Sequence, residues 1–321
     1  MRLCGDTHRV IPALDVMRCP VCRGSLEGES AALRCLGCGA VYPVEEGIPR
    51  MLDDRLPGIE AKRGEIGGWV AMAKAQGWYQ PDDEVDAVLP YVCRDLDWDD
   101  KSWRANEYSF SVLLERYVRP GMRVLEVGAA KAWAAQHLVP RGVEYTATDI
   151  LADPNIGLGR GAFYESRVGP FGRVQADGEH LPFRDRSFDL VYCVAALHHA
   201  LDLRRMISEL ARVARRGAVV AALNEGTRAL GASGEVEDQA EEKAFGINEH
   251  VHTLYAYLWE FARSGLAVRR VEHAEGYKDL RGRRIGGKLL RLPLVGRSAA
   301  TWFAQTCYGY SGVSIFARKL W

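Results

Sequence analysis

The stretch "VLEVGAAKAW", Val124–Trp133, decides the fold. It runs from an apolar strand pattern into a tight turn and then a helix-forming run, the arrangement at which nucleotide-like ligands dock. Gly128 allows close backbone approach, and a helix that follows presents free N–H groups to a carboxylate or phosphate. The turn keeps this single glycine where such turns carry two or three. It is either a working ligand loop with alanines in place of glycines or a degenerate one.

Outward from this turn, strand-like runs recur at 122–127, 144–148, 172–176, 188–194 and 217–223. Helical stretches lie between most of them, notably Lys131–Val139 and Leu201–Arg215. Near-continuous apolar strands alternating with helices predict an α/β fold with a parallel sheet covered on both faces. A further helix is expected near Thr253–Ser264, with strands at 266–274 and 312–319. Ahead of the sheet, Tyr108, Val112, Leu113 and Tyr117 share one side of a helix from Trp103 to Arg119.

Four of the eight cysteines fall within twenty residues, as two Cys-x-x-Cys knuckles, Cys19/Cys22 and Cys35/Cys38, separated by twelve residues. The segment between them is too short and polar to bury a core. Four thiolates on a structural Zn²⁺ would supply most of its folding energy. The chain starts with no apolar run behind a basic segment, and no window approaches the roughly 18 apolar residues of a membrane helix. A soluble, cytoplasmic chain without integral membrane association is expected, where clustered thiols indicate metal rather than disulfides. Lys plus Arg and Asp plus Glu balance at 42 each. No global field therefore draws the chain to nucleic acid.

These features divide the chain into a zinc ribbon (12–54), a helical connector or lid (55–102) and an α/β domain (103–321) with a basic insertion at 276–311. In the connector, Asp82 or Asp83 caps a short helix through Tyr91. Its aromatics, Trp69, Trp78, Tyr79 and Trp98, read either as packing between domains or as a lid over substrate.

Ligands of an open parallel sheet bind at the carboxyl ends of its strands, where the strand order reverses. Those ends carry Glu126 and Gly128 after the first strand, then Asp149, 21 residues beyond Gly128, with Ile150 beside it. A carboxylate at Asp149 is placed to accept both hydroxyls of a ribose. Asp177 and Gly178 follow the third strand, where an acid can accept from an exocyclic adenine amine. The fourth strand ends in "VAALHHA", from Val194, whose small residues leave room for a ligand chain.

This set resembles the class I S-adenosylmethionine-dependent methyltransferases, in particular the group with a Leu-Pro-Phe segment. Here that segment reads "DGEHLPFRDRSFD", Asp177–Asp189, followed by "LHHA". The resemblance covers about Trp103 to Lys319. It implies a Rossmann-like seven-stranded sheet whose last strand runs antiparallel, and S-adenosyl-L-methionine as cofactor. By position, Glu126, Gly128 and Ala130 would line the methionine moiety, Asp149 would hold the ribose, and Asp177 with Gly178 the adenine; Ile150 and Val194 flank them. The family loop is acidic-x-Gly-x-Gly-x-Gly, and its second and third glycines are Ala130 and Ala132 here. The third is expected inside the helix, where alanine is the better residue. The second is where an added methyl group narrows the site or shifts the loop. A dinucleotide reading leans on the missing glycines and does not use Asp177.

The N-terminal segment is similar to the short zinc-ribbon proteins that partner and activate methyltransferases. Their Tyr-Pro-Val-x-x-Gly-Ile-Pro ending stands at Tyr42–Pro49. A ribosomal RNA guanine methyltransferase family also places a zinc module ahead of this fold, which keeps RNA among the substrate classes.

Methyl transfer needs a general base only where the nucleophile arrives protonated. Candidates are His198 and His199 after strand four, Asn224 and Glu225 after strand five, and His250 in "NEHVHT", 248–253, at the opening of the next helix. His250 is the preferred acceptor contact. The insertion interleaves basic and apolar residues, which suits an acidic substrate, RNA or a membrane surface, or simply a solvated lid. The leading expectation is methyl transfer to an O or N atom of a small-molecule or glycan acceptor. The alternatives are an RNA base methyltransferase and a non-catalytic recruitment module with a degenerate cofactor loop.

Overall fold

The computed structural model describes residues 15–29, 31–230, 240–273 and 312–321, together with Trp302, Thr306 and Cys307. The basic insertion at 276–311, apart from those three residues, lies outside the described part. The chain opens with four short antiparallel strands, β1 (Leu26–Glu29), β2 (Ala32–Cys35), β3 (Val41–Glu45) and β4 (Ile48–Pro49). The connector then forms α1 (Ile59–Ala75), α2 (Asp83–Val88) and α3 (Val92–Asp95). Asp82 caps α2, its carboxylate accepting from the Glu84 and Val85 N–H groups. That helix stops at Val88, short of the expected Tyr91, because Pro90 forbids helical geometry at the residue before it.

After α4 (Lys101–Tyr117) come β5 (Arg123–Val127), α5 (Ala135–Leu138), β6 (Glu144–Asp149), α6 (Gly161–Val168), β7 (Gly172–Gln175), β8 (Phe188–Val194), α7 (Leu203–Val213) and β9 (Ala214–Glu225). A small parallel pair, β10 (Thr227–Arg228) and β11 (His252–Thr253), brackets α8 (Ala240–Ala244). The chain finishes with α9 (Leu254–Arg263), β12 (Leu266–His273) and β13 (Val313–Lys319).

The main sheet has the order β12-β13-β9-β8-β5-β6-β7. Strands β5 to β9 pair in parallel, and β13 is antiparallel to both β9 and β12. The seven-stranded sheet with a reversed last strand is the expected one. Order reverses at β5, which has β6 on one side and β8 on the other, so their carboxyl ends open a crevice. Successive β5 residues serve opposite cores: Val124 packs with Phe110, Leu138 and Tyr164, while Leu125 packs with Val191, Ile207 and Phe261. Burial on both faces is why these strands read as continuous apolar runs.

The ribbon shares the second of these cores. Met17, Leu33, Tyr42 and Met51 are buried with Val174, Phe183 and Ile207. Its backbone also adds to the sheet's edge: the Met51 N–H donates to Gln175 O at 2.9 Å, and Arg18 N–H to Pro182 O at 2.9 Å. The Leu-Pro-Phe segment is thus a docking strip for the ribbon, with Phe183 bridged to Met17.

Two local expectations fail at the first loop. The helix expected over Lys131–Val139 shrinks to α5, preceded by turns. Ala132 lies outside it at φ +59°, and Ala130 has φ +44°. Both residues occupy the left-handed region that glycine adopts without cost.

Candidate functional site

A cavity of about 650 Å³ opens where β5, β6 and β8 end, within the range of small-molecule sites. One wall is the sheet edge. Gly128, Ala130, Asp149, Ile150, Asp177, Gly178 and Val194 all line it. Asp149 is fixed by two backbone donors, Ala130 N–H to Oδ2 at 2.7 Å and Leu151 N–H to Oδ1 at 2.8 Å. Burial raises its carboxyl above the usual range, and these N–H groups oppose the rise. Asp177 accepts from Glu179 N–H at 3.0 Å, and its Oδ2 lies 2.7 Å from His180 Nδ1. Each carboxylate keeps lone pairs for a ligand donor.

Two glycines on this wall hold positions where a side chain would run into protein atoms. A Cβ at Gly128 would stand 2.7 Å from Ala196 Cβ, and one at Gly178 would stand 3.0 Å from Met206 and Val127. Gly128 also has φ +76°. The second wall comes from the connector and α4: Lys62, Glu65 and Trp69 of α1, Trp78, Val85 and Asp86, then Trp98 and Trp103, facing Lys131 and Trp133 of the loop.

A family model described as "Methyltransferase domain" matches residues 125–222, and one described as "Trm112p-like protein" matches residues 13–47. The chain carries a methyltransferase domain behind a Trm112p-like zinc-ribbon segment. Sterol 24-C-methyltransferase ERG6B of Gibberella zeae is 34% identical over 106 residues, 32% of this chain and 27% of that protein. The chain thus spans about a quarter of this relative's length. A demethylmenaquinone methyltransferase of Mycobacterium sp. (strain KMS) is 29% identical over 184 residues, 54% of this chain and 76% of that protein. The fold is also that of Haemonchus contortus phosphoethanolamine N-methyltransferase 2, solved with phosphomonomethylethanolamine and S-adenosylhomocysteine. There the TM-score is 0.51 at 14% identity, over 78% of this chain and 59% of that one.

The methyltransferase domain fits an S-adenosylmethionine cofactor by its donor set and its shape. Asp149 is anchored with free lone pairs, Asp177 is held by its own loop, and Gly128 and Gly178 line the wall without side chains. Ala130 is exposed on the cavity wall, and its N–H is spent on Asp149. The methyl group of Ala132 is fully buried instead. Neither alanine displaces the anchoring of Asp149.

Glu126 departs from its expected place against the methionine moiety. It is 2% exposed and absent from the cavity wall, turned into the core where the Tyr145 hydroxyl donates to it. Burial pushes its carboxyl up to about 8, with Tyr145 and Tyr192 opposing. On β5, residues alternate faces, and position 126 falls on the face of Val124, whose core also holds Tyr145 and Tyr192.

Of the five catalytic candidates, His199 alone lines the cavity. Burial, aided by neighbouring His198, drives its pKa down to about 3, so the ring is neutral. Its Nδ1 donates to Asn248 O at 2.8 Å, and Trp69 packs edge-on at 5.5 Å. Glu225 sits fully buried behind the site. It accepts from Ala196 and Leu197 N–H, both at 3.0 Å, and its Oε2 lies 2.8 Å from His198 Nδ1. It shapes the loop after β8 and does not reach the cavity. His250 is exposed and outside the wall, tied by its N–H to His198 O at 2.8 Å. It precedes α9, which starts only at Leu254, and it does not line the cavity. Asn224 is spent on Asn106 Oδ1 at 2.7 Å.

The ribbon's cysteines converge as expected. All four Sγ atoms lie within 4.8 Å of one another, with Cys19–Cys38 at 3.7 Å and Cys22–Cys35 at 3.4 Å. Thiolates about 2.3 Å from one ion at tetrahedral corners are roughly 3.8 Å apart, whereas a disulfide needs about 2.05 Å. A Cβ at Gly24 would stand 3.0 Å from Cys35 Sγ. Gly24 and Gly37 N–H groups donate to Cys22 and Cys35 Sγ at 3.4 and 3.3 Å. The knuckles therefore fit a structural Zn²⁺.

The sequence reading missed Lys62, Glu65 and Asp86. Asp86 is 0% exposed, 3.0 Å from Lys131 Nζ and 2.7 Å from Arg160 Nε. The signal for the first two was present: Lys62, Glu65 and Trp69 stand at helical spacing.

Proposed function

We propose that the chain transfers a methyl group from S-adenosyl-L-methionine to an O or N atom of a small molecule with a flat or apolar body, a glycan face included. The carrying observation is the tryptophan-lined second wall: Trp69, Trp78, Trp98, Trp103 and Trp133 surround the same cavity as Asp149 and Asp177. Such walls stack on planar or apolar surfaces and exclude water. The cofactor, when bound, supplies an activated methyl group on a sulfonium. The protein's part is approach geometry, which carries much of the barrier in such displacements. His199, neutral and on the wall, has a ring nitrogen, Nε2, left to accept from a nucleophile's O–H or N–H.

The names of the relatives, a sterol and a demethylmenaquinone methyltransferase, favour acceptors with large apolar bodies. No helix among the described residues is long and apolar enough to cross a membrane. The test incubates the chain with methyl-labelled S-adenosylmethionine and, in parallel, a metabolite extract or total RNA. Label in the small-molecule fraction alone is expected. Label in RNA alone overturns this reading, and failure to bind cofactor in a calorimetric titration restores the non-catalytic alternative.

A further inference from the structure

Glu65 holds a carboxylate oxygen that the protein leaves unsatisfied. The residue is 1% exposed and lines the cavity, yet no hydrogen bond reaches its Oε2. Leaving a buried acceptor without a donor costs about 1–3 kcal/mol, so such a group calls for a partner. The nearby cations are committed elsewhere. Lys62 Nζ is 3.7 Å from Oε2, but it donates to His199 O at 3.0 Å and pairs with Glu179 at 3.4 Å. His199 Nδ1 is 3.7 Å from Oε1 and donates to Asn248 O. Asp149 and Glu249 face Glu65 as like charges.

Its position sets it beside the loop that follows Asp149. Helix α1 packs Ile66, Trp69 and Val70 on Leu151 and Ile156, the loop directly after Asp149. Trp103 and Trp133 belong to the opposite core. We infer that Glu65 is a further carboxylate ligand of the bound S-adenosyl cofactor, beside Asp149 and Asp177, presented by helix α1 rather than by the sheet. It accepts from an O–H or N–H of that cofactor, a ribose hydroxyl or the α-ammonium group. The inference rests on the cavity being the cofactor site. One helix then senses occupancy: the ligand's donor satisfies Oε2 and fastens α1 over the sheet edge.

Burial, with Asp149 and Glu249, lifts the Glu65 carboxyl to about 7, against Lys62 and the Trp69 indole. Protonation removes the charged acceptor, so affinity should fall as pH drops through 7.

The experiment titrates the full zinc-loaded chain calorimetrically with S-adenosylhomocysteine and with 5′-methylthioadenosine, which lacks the amino-acid part. Glu65→Gln keeps the shape and removes the charge. It should weaken S-adenosylhomocysteine by about ten-fold or more, as expected for a hydrogen bond to a charged group, and flatten the pH dependence. An equal loss for both ligands assigns the ribose; a loss for S-adenosylhomocysteine alone assigns the ammonium. Wild-type affinities and an unaltered pH profile in Glu65→Gln would overturn the inference, leaving Glu65 as a counter-charge for Lys62. If the variant does not fold, the wild-type profile decides: an affinity that is flat between about pH 6 and 8 overturns it. A wild-type chain that binds neither ligand fails the cofactor reading itself.

Discussion

The two walls of the cavity are built by different physics. The sheet edge is made of backbone: strand ends, N–H groups aimed at Asp149 and glycines where a side chain would run into protein atoms. The connector wall is made of side chains, half-buried and exposed tryptophans with buried ion pairs, set against the domain. The first wall is rigid because the sheet's hydrogen-bond ladder fixes it. The second depends on a few buried charges, and its loss should be separable from loss of the first.

The sharpest way to break the connector wall is at Asp86. Its carboxylate pairs with Lys131 and Arg160, and its carbonyl accepts from the Tyr164 hydroxyl at 3.2 Å. Removing one partner of a buried network leaves the others uncompensated, typically at 3–5 kcal/mol. Asp86→Ala should lower the urea midpoint by the equivalent of about 3 kcal/mol and weaken S-adenosylhomocysteine along with it, because Lys131 belongs to the loop. A midpoint within error of wild type would show that the connector is an appendage rather than a clamp.

The contrast also explains what was legible in the sequence. Strand ends and knuckles announce themselves, because their chemistry is tied to local spacing: Asp149 follows a strand, and two Cys-x-x-Cys pairs define a tetrahedron. Helix α1 hides because its inward face carries Lys62 and Glu65, reversing the polar-out rule on which periodicity depends. Its tryptophan could be read as packing or lid, and here it packs on Leu151 and Ile156 and lines the cavity. Glu126 misled in the opposite sense: an acid at a strand end looked like a ligand contact but faces the core. His250 and Glu225 were plausible by residue type, and only the fold shows that neither reaches the cavity: Glu225 is buried at the end of β9, and His250 lies in the segment before α9.

On the sheet wall, Asp149→Asn should act on binding and spare the fold. Burial holds the wild-type carboxyl above its unfolded value, so its ionised form opposes folding at neutral pH, increasingly as pH rises through the folded pKa. The amide removes that penalty but keeps one acceptor oxygen for two backbone donors, so the two effects on folding offset. Cofactor affinity should drop about 10- to 100-fold, the range for losing hydrogen bonds to a charged group, with a melting temperature near that of wild type. A fall in melting temperature without a fall in affinity would assign Asp149 to loop structure alone.

The smallest effect tests the glycine-poor turn itself. Both alanines sit at positive φ, which costs a non-glycine residue roughly 1–2 kcal/mol. Ala130 has its methyl group at the exposed cavity wall, so Ala130→Gly gives up little packing and should stabilise the chain by about 1 kcal/mol in urea unfolding. Ala132 is 0% exposed. Its glycine variant relieves the same strain but loses a buried methyl worth about 0.8 kcal/mol, so its midpoint should stay near wild type. If both variants gain equally, packing around Ala132 contributes nothing. If Ala130→Gly loses stability, the left-handed turn is not the strained element. The expected inequality would show that two alanines in a cofactor loop differ in kind: one methyl faces the ligand, and the other is part of the core.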